Sequence, residues 1–278
     1  MLFVCPKCGG ALSYSGSAAV CRDGHSFDRA SEGYYNLLLG HKKGNRGDNS
    51  EMVAARRAFL GGGYYLPLAS RVAQLVCEHT PKGGAVLDAG CGEGYYTDLA
   101  EKALLERDGC SRVSGFDISR DAVRRAAKRN PRISLAVAGS YHMPISDGSV
   151  DTVMNTFSPL AAEETYRVLR DGGVFVMAIP AEEHLYELKA AIYDTPYKNT
   201  VADTALEGFE LILDEPLRFT VSLRSREAVS SLFKMTPYAY RTRLADAARI
   251  EELDFLDVSA DFRIFAYRKI GKTGSEKA

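Results

Sequence analysis

The stretch "VLDAGCGEGYYT", residues 86–97, decides how the fold is read. A short apolar run ends in glycines at alternate positions, Gly90, Gly92 and Gly94. Glycine adopts backbone conformations closed to other residues and lets a ligand lie close to the chain. A strand that passes through such a turn into a helix is a place to hold a nucleotide-type ligand. The dinucleotide fingerprint spaces its glycines as G-x-G-x-x-G. Here the spacing is G-x-G-x-G, preceded by Asp88, which disfavours a dehydrogenase.

Outward from this turn, strand and helix patterns alternate. "AVLDAG" reads as a strand, "YYTDLAEKALLE" as a helix, "RVSGFDIS" as a strand and "DAVRRAAKR" as a helix. "ISLAVAG" and "VDTVMNTF" are further strands, "AAEETYRVLR" is a helix closed by Gly172 and Gly173, and "VFVMAIP" is a strand. This is the grammar of an α/β fold with a mostly parallel, doubly wound sheet. "RFTVSLRS" and "DFRIFAYRKI" read as late strands with a helical segment between them. Upstream, Asp48 to Ser50 can cap a helix through "EMVAARRAFL", ended by the glycines at 61–63, and a second helix is expected from about Leu66 to Glu78.

The N-terminus has a different character. In "CPKCGGALSYSGSAAVCRDGH", two residues separate Cys5 from Cys8, and three separate Cys21 from His25. Zinc takes four thiolate or imidazole ligands in a tetrahedron, and this spacing supplies four. Pro6, Gly9 and Gly10 suit the first turn, Asp23 and Gly24 the second, and two short strands join the halves as a hairpin. With all four positions filled by protein, the zinc is expected to be structural. The other cysteines, Cys77, Cys91 and Cys110, are scattered and read as free thiols.

The chain has 278 residues, enough for one large or two small domains. No apolar run is long enough for a membrane span, and the N-terminus lacks a signal-peptide pattern, so the cytoplasm is expected. The net charge of -1 excludes a polycation. Between Gly40 and Arg57, however, Lys42, Lys43, Arg46, Arg56 and Arg57 outnumber Asp48 and Glu51, a local excess of +3. That segment suits phosphates, or is simply a solvated loop and helix face.

The glycine turn with Asp88 resembles the first motif of class I S-adenosylmethionine (SAM) methyltransferases, a Rossmann-like fold. Asp117, 23 residues beyond Gly94 at the end of the next strand, matches the acidic residue that accepts both ribose hydroxyls. "RVLRDGGVFVMAIP" resembles the helix–turn–strand that follows. Many relatives carry an acidic residue near the adenine, where this chain has Gly139 and Ser140, so backbone groups or the Ser140 hydroxyl are expected there.

The zinc knot, "EGYYNLL", "DNSEMVAARRAFL", "YYLPL", "VLDAGCGEGYYT", "HLYELK" and "MTPYAYR" together resemble the RlmA family from Met1 to about Lys269. These are bacterial 23S rRNA (guanine-N1)-methyltransferases. The resemblance implies zinc at Cys5, Cys8, Cys21 and His25, and SAM contacts at Tyr65, Gly92, Glu93 and His184. Asp88, Gly90, Gly94, Asp117 and Ser140 complete the expected cofactor site. It further implies a 23S rRNA hairpin lining the peptide exit tunnel as substrate, a homodimer with an RNA cleft between protomers, and no membrane or DNA partner. One choice of guanine within that hairpin bears on macrolide-type antibiotics.

The domains expected are a zinc-binding, RNA-recognising module at 1–36, a basic linker and helices at 37–84, the methyltransferase domain at 85–270, and a disordered tail at 271–278. Lys42, Lys43, Arg46, Arg56 and Arg57 are the expected RNA grip. Asn155, at the end of the fourth strand of the sheet domain, Glu187 and His184 are the candidates for accepting or orienting the guanine N1 proton. Two rivals stay open: a small-molecule methyltransferase whose zinc only stabilises the N-terminus, and a non-catalytic RNA-binding protein that holds SAM.

Overall fold

The computed structural model describes residues 2–40, 47–201, 204–240 and 242–271. The chain begins with β1 (Leu12–Ser15), β2 (Ala18–Cys21), β3 (Ser26–Asp28) and β4 (Tyr35–Asn36), then α1 (Ser50–Gly61) and α2 (Leu66–His79). The alternating region gives β5 (Ala85–Ala89), α3 (Tyr95–Arg107), β6 (Arg112–Asp117), α4 (Arg120–Arg129), β7 (Ser134–Val137), β8 (Val150–Thr156), α5 (Ala162–Val168) and β9 (Leu169–Pro180). The last part adds α6 (Tyr186–Ile192), β10 (Phe209–Leu223), α7 (Arg226–Lys234), a 3-10 turn (Pro237–Tyr240), α8 (Leu244–Glu251) and β11 (Leu256–Lys269).

Two sheets are present among the described residues. β1–β2–β3 form a small antiparallel sheet in the N-terminal segment. The main sheet runs β10-β11-β9-β8-β5-β6-β7-β4. Its strands are parallel from β4 to β9, and β11 enters antiparallel between β9 and β10. β5 is buried along its whole length, as a central strand covered on both faces must be. Helix α1 is capped by the Asn49 side chain, which accepts from the Met52 N–H at 2.9 Å, and ends at Gly62. The class I methyltransferase architecture expected from the glycine turn is the one observed.

The N-terminal segment is welded to the main sheet. β4 pairs in parallel with β7, matching Tyr35 to Ala136 and Asn36 to Val137, so residue 36 ends the edge strand of that sheet. Phe3 forms a bridge with Ile145, and the Val4 N–H donates to the Pro144 carbonyl at 2.8 Å. Phe3, Leu12, Ala19 and Phe27 share one apolar cluster with Leu87, Phe116 and Ile145. Fully burying a side chain of this size contributes about 1.5–3 kcal/mol. A module too small to build its own core therefore borrows one from the sheet.

Candidate active site

Two tight turns assemble the metal centre. The Cys5 N–H donates to the Gly10 carbonyl and the Gly9 N–H to the Cys5 carbonyl, both at 2.8 Å. The Gly24 N–H donates to the Cys21 carbonyl at 3.0 Å, with Gly24 at φ 78, a conformation open to glycine. The four donor atoms lie within 4.8 Å of one another. His25 Nδ1 is 3.5 Å from Cys5 Sγ and 3.4 Å from Cys21 Sγ, and Cys8 Sγ is 3.7 Å from Cys21 Sγ. A zinc tetrahedron with bonds of about 2.3 Å to sulfur and about 2.0–2.1 Å to nitrogen has edges of roughly 3.8 and 3.5 Å. The donors fit zinc in number, chemistry and spacing, and they fill its coordination sphere.

A cleft of about 1430 Å³ opens over the carboxyl ends of β5, β6 and β8. The sheet order reverses between β5 and β8, and open α/β sheets bind ligands at such a switch point. The three glycines of the opening stretch are needed for three different reasons. At Gly90 (φ 93) a Cβ would fall 2.0 Å from Ser158 Oγ. At Gly94 (φ 83) it would fall 2.9 Å from Ala126 Cβ, where α3 meets α4. At Gly92 (φ 54) a Cβ would meet only open space, on the cleft wall.

Carboxylates surround that turn. Asp117 accepts from the Gly92 N–H at 3.0 Å and the Ser119 N–H at 2.7 Å, which ties the glycine turn to the end of β6. Each oxygen keeps a lone pair for a further donor. Burial raises the Asp117 pKa. Asp88 is fully buried, accepts from the Thr97 hydroxyl at 2.6 Å, and is pushed by burial up to about 7. Glu93 is also pushed up by burial, while Arg129 draws it back through two hydrogen bonds at 2.8 and 2.7 Å. Gly139 and Ser140 stand on the same wall.

Tyr65 and His184 meet across the opposite wall, 3.4 Å between the Tyr65 hydroxyl and His184 Nε2. His184 Nδ1 accepts from the Asp261 N–H at 3.3 Å, so the proton of the neutral ring sits on Nε2. Burial lowers the His184 pKa to about 3 and keeps the ring neutral at physiological pH. Burial also raises Tyr65, which stays a phenol. Its hydroxyl receives the His184 proton and keeps its own to donate into the cleft.

Asn155 and Glu187 do not line the cleft. Asn155 is buried; its amide donates to the carbonyls of Ala89 (3.2 Å) and Pro159 (3.4 Å), and its oxygen accepts from the Ser158 N–H at 3.3 Å. Glu187 accepts from the Ser259 N–H at 2.8 Å and its hydroxyl at 2.7 Å, which clamps α6 to β11. Arg56 faces the cleft; it pairs with Asp48 and donates to the Met235 carbonyl at 3.1 Å. Arg57 is exposed, 4.0 Å from Glu93. Lys42, Lys43 and Arg46 lie outside the described residues.

Sequence reasoning missed three groups on this wall. The hydroxyls of Tyr96 and Thr156 are buried without a hydrogen-bond partner, and Phe157 projects into the opening. A buried, unpartnered hydroxyl is costly unless a ligand satisfies it. Together with the free lone pairs of Asp88 and Asp117 and the open space at Gly92, the two hydroxyls fit a ligand carrying ammonium, ribose and carboxylate. Apolar spacing along β8 and α3 cannot say which face their side chains take.

The comparisons with known proteins agree with both halves. Residues 3–46 match the RlmA N-terminal zinc-ribbon family, and residues 86–173 match the methyltransferase domain family. The chain is 33% identical over 252 residues to the 23S rRNA (guanine(748)-N(1))-methyltransferase of Streptomyces fradiae, covering 88% of each chain. It is 33% identical to a protein of Micromonospora griseorubida, covering 96% of this chain and 97% of that one. It is 30% identical to a protein of Bacillus subtilis, covering 95% of each. Both of these also carry 23S rRNA (guanine-N1)-methyltransferase in their names. With a cleft over the carboxyl ends of the parallel strands and four donors spaced for structural zinc, the chain belongs to the RlmA family of SAM-dependent 23S rRNA (guanine-N1)-methyltransferases.

Proposed function

We propose that this enzyme methylates N1 of a single guanine in a hairpin loop of 23S rRNA that lines the peptide exit tunnel. One observation carries the reading: a single cleft is walled both by the glycine turn and by the zinc knuckle, through Cys5, Pro6 and Gly9. A substrate seated at the cofactor therefore lies against the zinc module, which a small acceptor has no need of. The names of the relatives supply the nucleotide and atom. The resemblance supplies the hairpin, the homodimer around the RNA, the cytoplasmic setting and the bearing on macrolide-type antibiotics.

Bound SAM supplies a methyl group on a sulfonium, already a good electrophile. The residues of this chain supply position, which is worth up to about 7–11 kcal/mol in a well-aligned transfer. In this reading Asp117 accepts the ribose hydroxyls, Asp88 the ammonium, and Tyr65 donates to the carboxylate with His184 behind it. Glu93, Gly90, Gly92 and Gly94 shape the turn, and Ser140 meets the adenine. Guanine N1 sits on the Watson–Crick edge, so the base must be unpaired and turned into the cleft. Lys42, Lys43, Arg46 and Arg57 grip phosphates, which makes binding steeply salt-dependent. Arg56, committed to Asp48 and Met235, shapes the cleft instead.

His184 has its one basic lone pair engaged by the Asp261 N–H, and Asn155 and Glu187 do not line the cleft. Catalysis in this reading rests on alignment: the N1–methyl bond forms as the sulfonium–methyl bond breaks to leave S-adenosylhomocysteine, and the N1 proton passes to water rather than to a strong base among these three. The test is transfer from labelled SAM to unmodified 23S rRNA, followed by reverse transcription across the hairpin. N1 methylation blocks pairing, so one SAM-dependent stop is expected, and its position names the guanine. Intact SAM binding with no stop would overturn the proposed substrate in favour of a small acceptor.

A further inference from the structure

Two described residues other than glycine have positive φ, Phe157 (61) and Leu185 (55), and both stand on the wall of the cofactor cleft. A bulky side chain in this region costs free energy and persists only where surrounding structure enforces it. Around Phe157 the enforcement is visible. Its N–H donates to the Ala178 carbonyl at 3.2 Å. Asn155 holds the turn from both sides, through Ser158 N–H and the carbonyls of Ala89 and Pro159. Ser158 fills the space that the missing side chain of Gly90 leaves open. The turn carrying Phe157 is thus keyed directly into the glycine turn.

The strain does not serve to bury the ring. Phe157 is 39% exposed, whereas its aromatic neighbours Tyr65, His184 and Phe262 are 2%, 7% and 0% exposed. The Phe262 ring lies 5.5 Å from it and the His184 ring 6.4 Å, at 40° and 25° to its plane. These neighbours back the ring, and the rest of it opens on the cleft at the end of β8.

We propose that Phe157 is the stacking platform for the extruded guanine, and that Asn155 is a positioning residue acting through Phe157. A flipped base needs a flat apolar surface to replace its lost stacking, and an aromatic ring serves any base by its π-face. This inference rests on the proposed guanine substrate.

The chain contains no tryptophan, so Phe157→Trp installs a unique fluorophore at the platform. Using the full-length, zinc-loaded protein with S-adenosylhomocysteine, a synthetic hairpin of unmodified sequence should quench this fluorescence, and S-adenosylhomocysteine alone should not. Phe157→Leu should lose roughly ten- to a hundredfold in kcat/KM for RNA, the loss expected for one stacked base, with SAM affinity unchanged within about twofold. Phe157→Tyr should retain the rate. If SAM affinity falls in step with kcat/KM, Phe157 is a cofactor wall and the platform is overturned. If wild type methylates the hairpin and Phe157→Leu does so equally well, the platform alone is overturned. Failure of wild type to methylate the hairpin would overturn the substrate reading as well.

Discussion

The zinc centre closes on itself, whereas the cofactor cleft ends in groups that still have bonds to make. Cys5, Cys8, Cys21 and His25 come from one short segment, and their donor atoms are spaced as a tetrahedron requires. The cleft gathers Tyr65, Asp88, Asp117, Thr156 and His184 from well-separated elements, and leaves the Tyr96 and Thr156 hydroxyls unpartnered. A structural site satisfies its ligands internally; a site for a transferred group cannot, because the ligand must supply the missing partners. The two still share one wall, since Val4, beside Cys5, holds the Pro144 carbonyl just beyond Gly139 and Ser140.

Loss of the metal should have the largest effect on stability. Cys21→Ser is expected to lose stoichiometric zinc and lower the melting temperature by about 10 °C, because metal binding supplies much of the folding free energy of so small a module. Through the Val4–Pro144 contact, SAM affinity should also fall, by roughly tenfold. Calorimetric titration with SAM checks this; an unchanged affinity would show that the two sites are independent.

The glycines sharpen the contrast within the cleft itself. Gly90→Ala drives a methyl into Ser158 and should abolish measurable SAM binding, with a loss of about a hundredfold or more. Gly92→Ala meets open space and pays only for its positive φ in the free protein. It should keep the melting temperature within a few degrees while weakening SAM by roughly tenfold. Equal thermal destabilisation by both variants would show that Gly92 serves the fold rather than the ligand.

The smallest effect expected is electrostatic. Burial raises Asp88 from 3.8 to about 7, so the folded state binds a proton more tightly than the unfolded chain. The stability this lends is complete below about pH 4 and is lost as pH rises through about 7. Asp88→Asn should therefore stabilise the cofactor-free protein at pH 8 by a few degrees, and by less at pH 6. It should also weaken SAM binding, by removing the proposed partner of the ammonium. Melting curves at the two pH values check the first part; a shift independent of pH would assign the effect to packing.

Much of the sheet was legible because each strand and helix announces itself over a few residues. β5 through β8 and the intervening helices stand where the alternation placed them, but β9 begins at Leu169 rather than Val174 and takes in Gly172 and Gly173. β10 was read only from Arg218, yet begins at Phe209. Pro216 reads as a strand breaker, but β10 is an edge strand and tolerates it. β4 was missed because its two residues gain strand character only by pairing with β7, a hundred residues away.

By itself the sequence determined the zinc ligands, the glycine turn and the order of the main elements. In each case the determining residues are neighbours along the chain, and local geometry limits what they can do. Only the tertiary structure decided where side chains point. It turned Asn155 onto the Ala89 carbonyl and Glu187 onto Ser259, committed Arg56 to the Met235 carbonyl, and brought Tyr96, Thr156 and Phe157 into the cleft. Those orientations depend on partners dozens of residues distant, and such partners exist only once the sheet has closed.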